Sequence, residues 1–164
     1  MNLSLPGIEA EIGTIDRDSW CTPECVWSIP LRAEHRGAYD LDPCSNARST
    51  VPALREICPP RDGLADPWDA EVIWMNPPYS DVGPWFEHAS RHWRSRVWGV
   101  VPLSPGIMAW QDHGPDFFWP LGRVRFVPPI GIAESSPTQE HALVLWSRTM
   151  PPILPLLYMG RRSP

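Results

Sequence analysis

Apolar residues fall in short runs along the chain, separated by polar or proline-rich segments, and these runs predict the secondary structure. Apolar, β-prone residues over 71–75 and over 97–103 predict two strands. Between them, large apolar residues at helical spacing predict a helix over 85–93. Two later runs, over 122–127 and over 141–147, predict a pair of strands joined by a proline-rich loop.

The N-terminal half carries weaker signals. Thr22 is expected to cap a helix that begins at Pro23, and Pro30 is expected to limit or kink that helix. Residues 37–44 predict a short strand that ends in a turn, and residues 47–57 predict a brief helix. Strands and helices thus alternate through the middle of the chain, and two strands in succession follow them. This order predicts an α/β layered sheet whose last two strands form an antiparallel pair.

A single domain is predicted over residues 19–159, because no linker or internal repeat is visible. Residues 1–18 are weakly patterned and predict a flexible lead-in, and residues 160–164 predict a loose tail. No run of eighteen apolar residues predicts a membrane span, and the N-terminus has no basic segment followed by an apolar stretch. We therefore expect a cytoplasmic protein without a membrane partner.

Composition and charge limit how this chain would hold a ligand. Most of the ten tryptophans are expected to pack in the core. The formal net charge of -5 means that any contact with nucleic acid would depend on a local basic patch. The candidates for such a patch are Arg91, His92, Arg94 and Arg96, together with Arg123 and Arg125. A solvated helix face explains the first group equally well.

Cysteine and histidine positions argue against two further kinds of site. Cys21 and Cys25 have the spacing of half a zinc site, but Cys44 and Cys58 form no second tight pair. We therefore expect no metal, and thiols that are buried or free. The five histidines show no motif that links them to a nucleophile, and the sequence has no G-x-S-x-G, which disfavours a hydrolase.

The candidate chemistry lies in Asn76-Pro77-Pro78-Tyr79, directly after the strongest predicted strand. In an open α/β sheet, ligands bind at the carboxyl ends of strands. Two prolines stiffen the turn, so the Asn76 side-chain oxygen and the Pro77 carbonyl are presented as fixed acceptors beside the Tyr79 ring. Such a pair of acceptors suits methylation of an aromatic amine, because it stabilises the positive charge that develops on the nitrogen. A rigid turn without chemistry is the alternative.

Short motifs occur in a characteristic order along most of the chain. They are Trp20-Cys21-Thr22-Pro23, Tyr39-Asp40-Leu41-Asp42-Pro43-Cys44, Asp62-Gly63-Leu64, Trp68, Asn76 to Ser80, Trp85, and Gly122-Arg123-Val124-Arg125-Phe126. In this order they resemble the compact phage-type DNA N6-adenine methyltransferases, from about Trp20 to Trp146. The resemblance implies a compact Rossmann-like methyltransferase sheet, mostly parallel, and transfer of a methyl group from S-adenosylmethionine to the N6 amine of adenine in DNA.

The resemblance also implies roles for individual residues. Catalysis falls to Asn76, Pro77, Pro78 and Tyr79. The S-adenosylmethionine contacts fall to Thr22, Pro23, Asp42, Pro43, Cys44 and Asp62. Taken without the resemblance, Asp42 and Thr22 also fit turn or cap residues, and Asp62-Gly63 fits an ordinary turn.

The same resemblance implies that the partner is double-stranded DNA, whose target adenine is flipped out of the duplex. Ser80, Arg123 and Arg125 are the expected DNA contacts, and the loops over 105–121 and 128–140 are expected to read the DNA. Because no separate recognition domain is visible, we expect weak or permissive sequence recognition.

Two departures from the family pattern keep alternatives open. The segment after the first predicted strand, 42–46, has no glycine, and the interval from there to Asn76 is short for a methyltransferase core. An amino-methyltransferase acting on RNA or on a protein glutamine would use the same tetrapeptide. A non-catalytic nucleic-acid-binding module that has kept the fold is the alternative from another class.

Overall fold

The computed structural model describes residues 20–103, 112–128 and 138–148. Within them the elements are, in chain order, α1 (Glu24–Ala33), β1 (Val72–Met75), α2 (Gly83–Arg91), β2 (Arg96–Pro102), β3 (Phe117–Gly122) and β4 (His141–Trp146). The predicted lead-in, 1–18, and the predicted tail, 160–164, lie outside the described residues, as do large parts of the two loops expected to read DNA.

The four strands form one mixed sheet in the order β1-β2-β4-β3. β1 and β2 are parallel, with Val72 opposite Arg96. β4 is antiparallel to both of its neighbours, β2 and β3. The α/β class and the antiparallel pair of C-terminal strands are therefore confirmed. One of the three pairings is parallel, because β4 lies between two strands that run in the same direction as β1.

Two short extended segments continue the sheet beyond β1. Leu41 forms a parallel bridge with Ile73, while Tyr39 and Asp42 form parallel bridges with Ala53 and Glu56. The helix predicted over 47–57 is therefore wrong. The backbone of this segment bonds to its neighbour instead of to itself: the Tyr39 N–H donates to the Pro52 carbonyl and the Ile57 N–H to the Asp42 carbonyl, both at 2.9 Å.

Helix α1 begins one residue later than predicted, and it continues past Pro30. Pro23, in an extended conformation, occupies the N-cap, so the prediction that Thr22 caps the helix is wrong. Pro30 lies inside the helix, which continues to Ala33. The proline ring removes one intrahelical hydrogen bond. Pro30 is buried next to buried Leu31, and burial of its apolar ring is a favourable contribution that opposes this loss.

The strand that pairs with β4 lies before Gly122, in an aromatic run, and not over 122–127 as predicted. β3 spans Phe117–Gly122, whereas 122–127 contributes only one bridge, between Val127 and Cys21. Trp119 stacks on Trp98 with ring centroids 5.8 Å apart, so packing against the core decides which segment pairs with β4. Gly122, with φ of +73°, ends the strand in a backbone conformation that favours glycine.

Buried side chains form a layer on each face of the sheet. One layer joins Trp85, Phe86 and Ala89 of α2 to β1 and β2 residues such as Ile73 and Val97. The other joins Val26, Leu31 and Ala33 of α1 to residues that include Trp74 and Trp98. The two helices therefore cover opposite faces, and the predicted core role is confirmed for the three fully buried tryptophans, Trp74, Trp98 and Trp146.

One buried carboxylate connects α1 to the amino end of β2. Glu34 lies 2.8 Å from the Arg96 guanidinium, and the Trp98 indole N–H donates to it at 2.9 Å. Its side chain is 7% exposed, so its charge depends on these partners. Among the described residues, no helix has the length and apolar character that crossing a membrane requires.

Candidate active site at the carboxyl edge of the sheet

The Asn76–Tyr79 segment begins directly after β1, at the carboxyl end of a fully buried strand. Pro77 is buried as well. The Asn76 side-chain oxygen is buried and has no hydrogen-bond partner among the described residues. Since a buried acceptor without a donor is unfavourable, this oxygen is suited to a donor that a ligand brings.

The Asp42–Cys44 turn lies beside this segment because Leu41 is bridged to Ile73 of β1. The Cys44 sulfur accepts a hydrogen bond from the backbone N–H of Asn76, which joins the turn to the motif directly. Asp42 is 3% exposed, and its Oδ1 accepts the Cys44 N–H at 3.0 Å. The turn interpretation of Asp42 is therefore confirmed, and its carboxylate also lies next to the candidate catalytic segment.

Electrostatics at Asp42 favour an incoming cation. The pKa of the Asp42 carboxyl is raised to about 7, and burial is the main cause. The hydrogen bond from the Cys44 N–H opposes this rise, and the nearby Glu56 carboxylate adds to it. Burial also raises the pKa of the Cys44 thiol, so this sulfur is not an activated nucleophile.

The loop that carries Asp62 approaches the same turn through Gly63. A Cβ at Gly63 would lie 1.9 Å from the Pro43 carbonyl oxygen, so only glycine permits this approach. The Gly63 carbonyl accepts the Trp68 indole N–H at 2.7 Å, which fixes the loop. Asp62 is exposed, and its Oδ1 accepts the Leu64 N–H at 2.9 Å, as in an ordinary turn.

Thr22 and Pro23 are held near this region by the residue before them. Cys21 exchanges two backbone hydrogen bonds with Val127, of 3.0 and 2.9 Å, and its thiol donates to the Arg48 carbonyl at 3.3 Å. Arg48 follows the Asp42–Cys44 turn closely in the chain. Thr22 is 3% exposed, so its hydroxyl would contact only a ligand that is itself buried in the protein.

Tyr79 belongs to an aromatic cluster with Phe126 and His141. Its ring centroid is 5.9 Å from that of Phe126, edge-on, and 5.6 Å from that of His141. Burial raises the pKa of the Tyr79 hydroxyl and lowers the pKa of His141. The His141 Nδ1 is buried without a hydrogen-bond partner among the described residues. The sequence gives no motif that links His141 to the site. Its position at the start of β4 brings it next to Tyr79.

The predicted DNA contacts divide into two separate places. Ser80, Arg123 and Arg125 are exposed, and Arg125 immediately precedes the Phe126 that packs on Tyr79. The cluster over 91–96 precedes or begins β2 and therefore lies at the opposite, amino edge of the sheet. The structure thus joins the first group, and not the second, to the candidate site.

The carboxyl edge of the sheet therefore gathers most of the predicted site. Direct contacts connect the Asp42–Cys44 turn to Asn76 and to Gly63, and Phe126 connects Tyr79 to the 123–125 segment. In the part of the chain that the structure describes, no three His, Cys, Asp or Glu side chains are grouped so that they could hold a metal ion.

Comparisons with known proteins identify the family of this chain. Residues 9–161 match the DNA N-6-adenine-methyltransferase (Dam) family. A protein of Haemophilus phage HP1 (strain HP1c1), named DNA N-6-adenine-methyltransferase, is 35% identical over 71 residues, which are 42% of this chain and 39% of the phage protein. No solved structure matches the chain. The family match spans nearly the whole chain, including the Asn76–Tyr79 segment and the turns around it, so this protein belongs to the DNA N-6-adenine-methyltransferase family.

Proposed function

We propose that this protein transfers a methyl group from S-adenosylmethionine to the N6 amine of adenine in double-stranded DNA. The observation that carries the proposal is the buried Asn76 oxygen, which has no partner among the described residues and lies at the carboxyl end of β1. The family match supports the reaction, and the phage relative carries the same name.

The chemistry follows from the weak nucleophilicity of the adenine amine. Its lone pair is delocalised into the ring, and hydrogen bonds from the amine to the Asn76 oxygen and the Pro77 carbonyl favour a more tetrahedral nitrogen. Fixed acceptors stabilise the positive charge that develops there as the new carbon–nitrogen bond forms. Tyr79, Pro77 and Pro78 position the base, and the hydrogen that the nitrogen loses leaves as a proton.

Bound S-adenosylmethionine would supply an already activated methyl group, so the protein mainly aligns the two reactants. The residues present fit this molecule, because the buried Asp42 carboxylate has a pKa raised to about 7 and gains from a cationic partner. Asp42, Pro43 and Cys44 would hold the cofactor, with Asp62, Thr22 and Pro23 around it. The ammonium or a ribose hydroxyl of the cofactor suits Asp42.

We also propose that the fold is a compact Rossmann-like methyltransferase sheet. β1, β2 and β3 share one direction, and the bridges at Tyr39, Leu41 and Asp42 are parallel, which supports this assignment. The single domain over 19–159 remains part of the proposal. Such an enzyme, if phage-encoded as its relative is, would act in the host cytoplasm.

DNA would bind across the carboxyl edge, with the target adenine flipped toward Asn76. Arg123 is exposed and forms no ion pair in the described part of the chain, so it is available for phosphate. Ser80 and Arg125 flank the site. Recognition of the target is expected to be permissive, and a methylation-sensitive sequencing experiment that returned one long, strict recognition sequence would contradict this.

The alternative substrates, RNA and protein glutamine, receive no support from the family match, whereas DNA adenine does. A non-catalytic binding module is disfavoured because it would have no use for a buried acceptor at Asn76.

The experiment that tests the proposal uses S-adenosylmethionine labelled in its methyl group and unmethylated DNA. We expect label in N6-methyladenine, and we expect Asn76→Ala to reduce kcat by about 10²–10³-fold or more while cofactor binding persists, because one charge-stabilising group is lost. Label in RNA or protein alone would redirect the assignment. No labelled product with any of the three, and no binding of the cofactor, would refute the enzyme.

A further inference from the structure

A second basic surface lies at the amino edge of the sheet, away from the candidate active site. The residues before β1, the residues before β2 and the residues after β4 meet there, because β4 is antiparallel to β2 and Trp146 is opposite Val97. The seven residues of β2 separate the two edges by about 20 Å. A cavity of about 490 Å³ opens at this edge, lined by Trp68, Asp69, Arg91, His92, Trp93 and Arg94.

Trp93 is the centre of this surface. It is 46% exposed, so part of its ring is accessible to a ligand. The Arg94 guanidinium lies over its ring at 4.8 Å and the Arg148 guanidinium at 5.2 Å, measured to the ring centroid. A guanidinium that stacks on an aromatic ring keeps its N–H groups free for a ligand and loses less side-chain freedom when that ligand binds.

Charge distinguishes these two arginines from their neighbours. Arg91 forms an ion pair with Glu87, and Arg96 forms ion pairs with Glu34 and Glu71. By contrast, no carboxylate of the described residues lies within ion-pair distance of Arg94 or Arg148.

Two positive charges, held together on one exposed ring, thus lack a counter-charge. Asp69 is the acidic side chain on the cavity wall, and it opposes anion binding.

We propose that Arg94, Arg148 and Trp93 form a second nucleic-acid contact, which binds the phosphodiester backbone of DNA about 20 Å from the site of methylation. Planar guanidinium groups bind phosphate oxygens in a bidentate manner. Such a contact gives an acidic protein the local basic patch that it needs to hold DNA. That this contact helps to hold the DNA substrate of the enzyme rests on the proposed function, whereas binding of phosphate by these arginines does not.

The test measures binding of a fluorescent duplex of G·C pairs, which contains no adenine and therefore no target. The duplex has about 20 base pairs and is roughly 70 Å long, which exceeds the distance of about 20 Å between the two edges of the sheet. We compare the wild type with Arg94→Gln, Arg148→Gln, their combination, and Arg32→Gln. Arg32 is an exposed arginine in the last turn of α1. Affinity is measured as a function of salt concentration, because each phosphate contact contributes about 0.9 to the slope of log K against log salt.

The expected result is a salt slope lower by about 1 for each single variant and by about 2 for the combination. Affinity at low salt should fall at least about tenfold in the combination, Asp69→Asn should tighten binding, and Arg32→Gln should leave both quantities unchanged. The melting temperature of each variant shows whether it is folded. If the double variant is unfolded, the salt slopes of the two single variants test the proposal.

An unchanged slope in the Arg94 and Arg148 variants, or no binding of this duplex by the wild type, overturns the proposal. The two proposals fail separately. Methylation of adenine with an unchanged salt slope would leave the enzyme assignment and remove the second contact. A reduced slope in a protein that methylates no adenine would leave the second contact and remove the enzyme assignment.

Discussion

Replacement of Gly63 by alanine tests the contact that joins the Asp62 loop to the Asp42–Cys44 turn. The added methyl group would lie 1.9 Å from the Pro43 carbonyl oxygen and 2.9 Å from the Trp85 ring. Ordinary contacts of a Cβ begin near 3.4 Å, so the loop or the turn must move by about 1.5 Å. Because the nearer atom belongs to the backbone, no side-chain rotation relieves the clash.

The size of the effect follows from these contacts. Forcing an extra methyl group into a packed site costs about 1–3 kcal/mol. Movement of the loop also weakens the 2.7 Å hydrogen bond from the Trp68 indole to the Gly63 carbonyl, which contributes about 1 kcal/mol. We therefore expect Gly63→Ala to lower the free energy of unfolding by about 3 kcal/mol. For a chain of this length that corresponds to a melting temperature lower by about 6–12 °C.

Gly37→Ala is the matched control, because a Cβ at Gly37 meets nothing within 4 Å. Neither glycine has the positive φ that alanine resists, so the comparison isolates the steric clash. Urea unfolding and thermal melting give the stability of both variants, and calorimetric titration gives the affinity for S-adenosylmethionine. We expect weaker cofactor binding in Gly63→Ala alone. Equal stability of the two variants would refute the claim that the loop and the turn are in contact.

Three further predictions concern charge and packing. The raised pKa of Asp42, about 7 against 3.8 for the unfolded chain, means that the protonated carboxyl stabilises the fold below about pH 4 and that this contribution is lost as pH rises through 7. Asp42→Asn should therefore flatten the dependence of the free energy of unfolding on pH between pH 4 and 7, where the wild type loses up to about 4 kcal/mol. It should also abolish cofactor binding. If urea unfolding shows the same pH dependence in the variant and the wild type, the buried Asp42 carboxyl does not have the raised pKa. Glu34→Ala breaks a buried ion pair and should lower the free energy of unfolding by about 3 kcal/mol. Glu87→Ala breaks an exposed ion pair and should lower it by less than about 0.5 kcal/mol. Similar urea midpoints for the two variants would contradict this difference. Phe126→Leu removes the edge-on contact with Tyr79 and should raise KM for DNA without changing cofactor affinity; steady-state kinetics in which KM does not rise would show that the contact does not position Tyr79.

The elements with strong local signals were predicted from the sequence. The strand before Asn76, the helix over 85–93 and the strand over 97–103 all occur, within a few residues of their predicted limits. The helix over 47–57 was wrong because its backbone pairs with a distant segment, and the strand over 122–127 was wrong because the aromatic residues before it pack on the core. In both segments, long-range partners outweighed local preference.

The candidate site shows the same division. Asn76 and its two prolines were predicted from one short motif, because a buried strand that ends in a rigid turn is a local property. The nearness of Gly63 to Pro43, the cluster of His141 with Tyr79, and the separation of Arg94 from Arg123 could not be predicted in this way. Each of them depends on which chain segments the sheet brings to one edge.

The sequence by itself therefore determined the turn at Asn76 after a buried strand, the main strands and the family resemblance, since all of these are encoded by neighbouring residues or by their order. Only the tertiary structure decided that β4 lies between β2 and β3, that the Asp42 turn contacts Asn76 through Cys44, and that two basic groups face opposite edges. The physical reason is that burial and strand pairing are set by the competition of all apolar segments for one core, and a single segment does not carry that information.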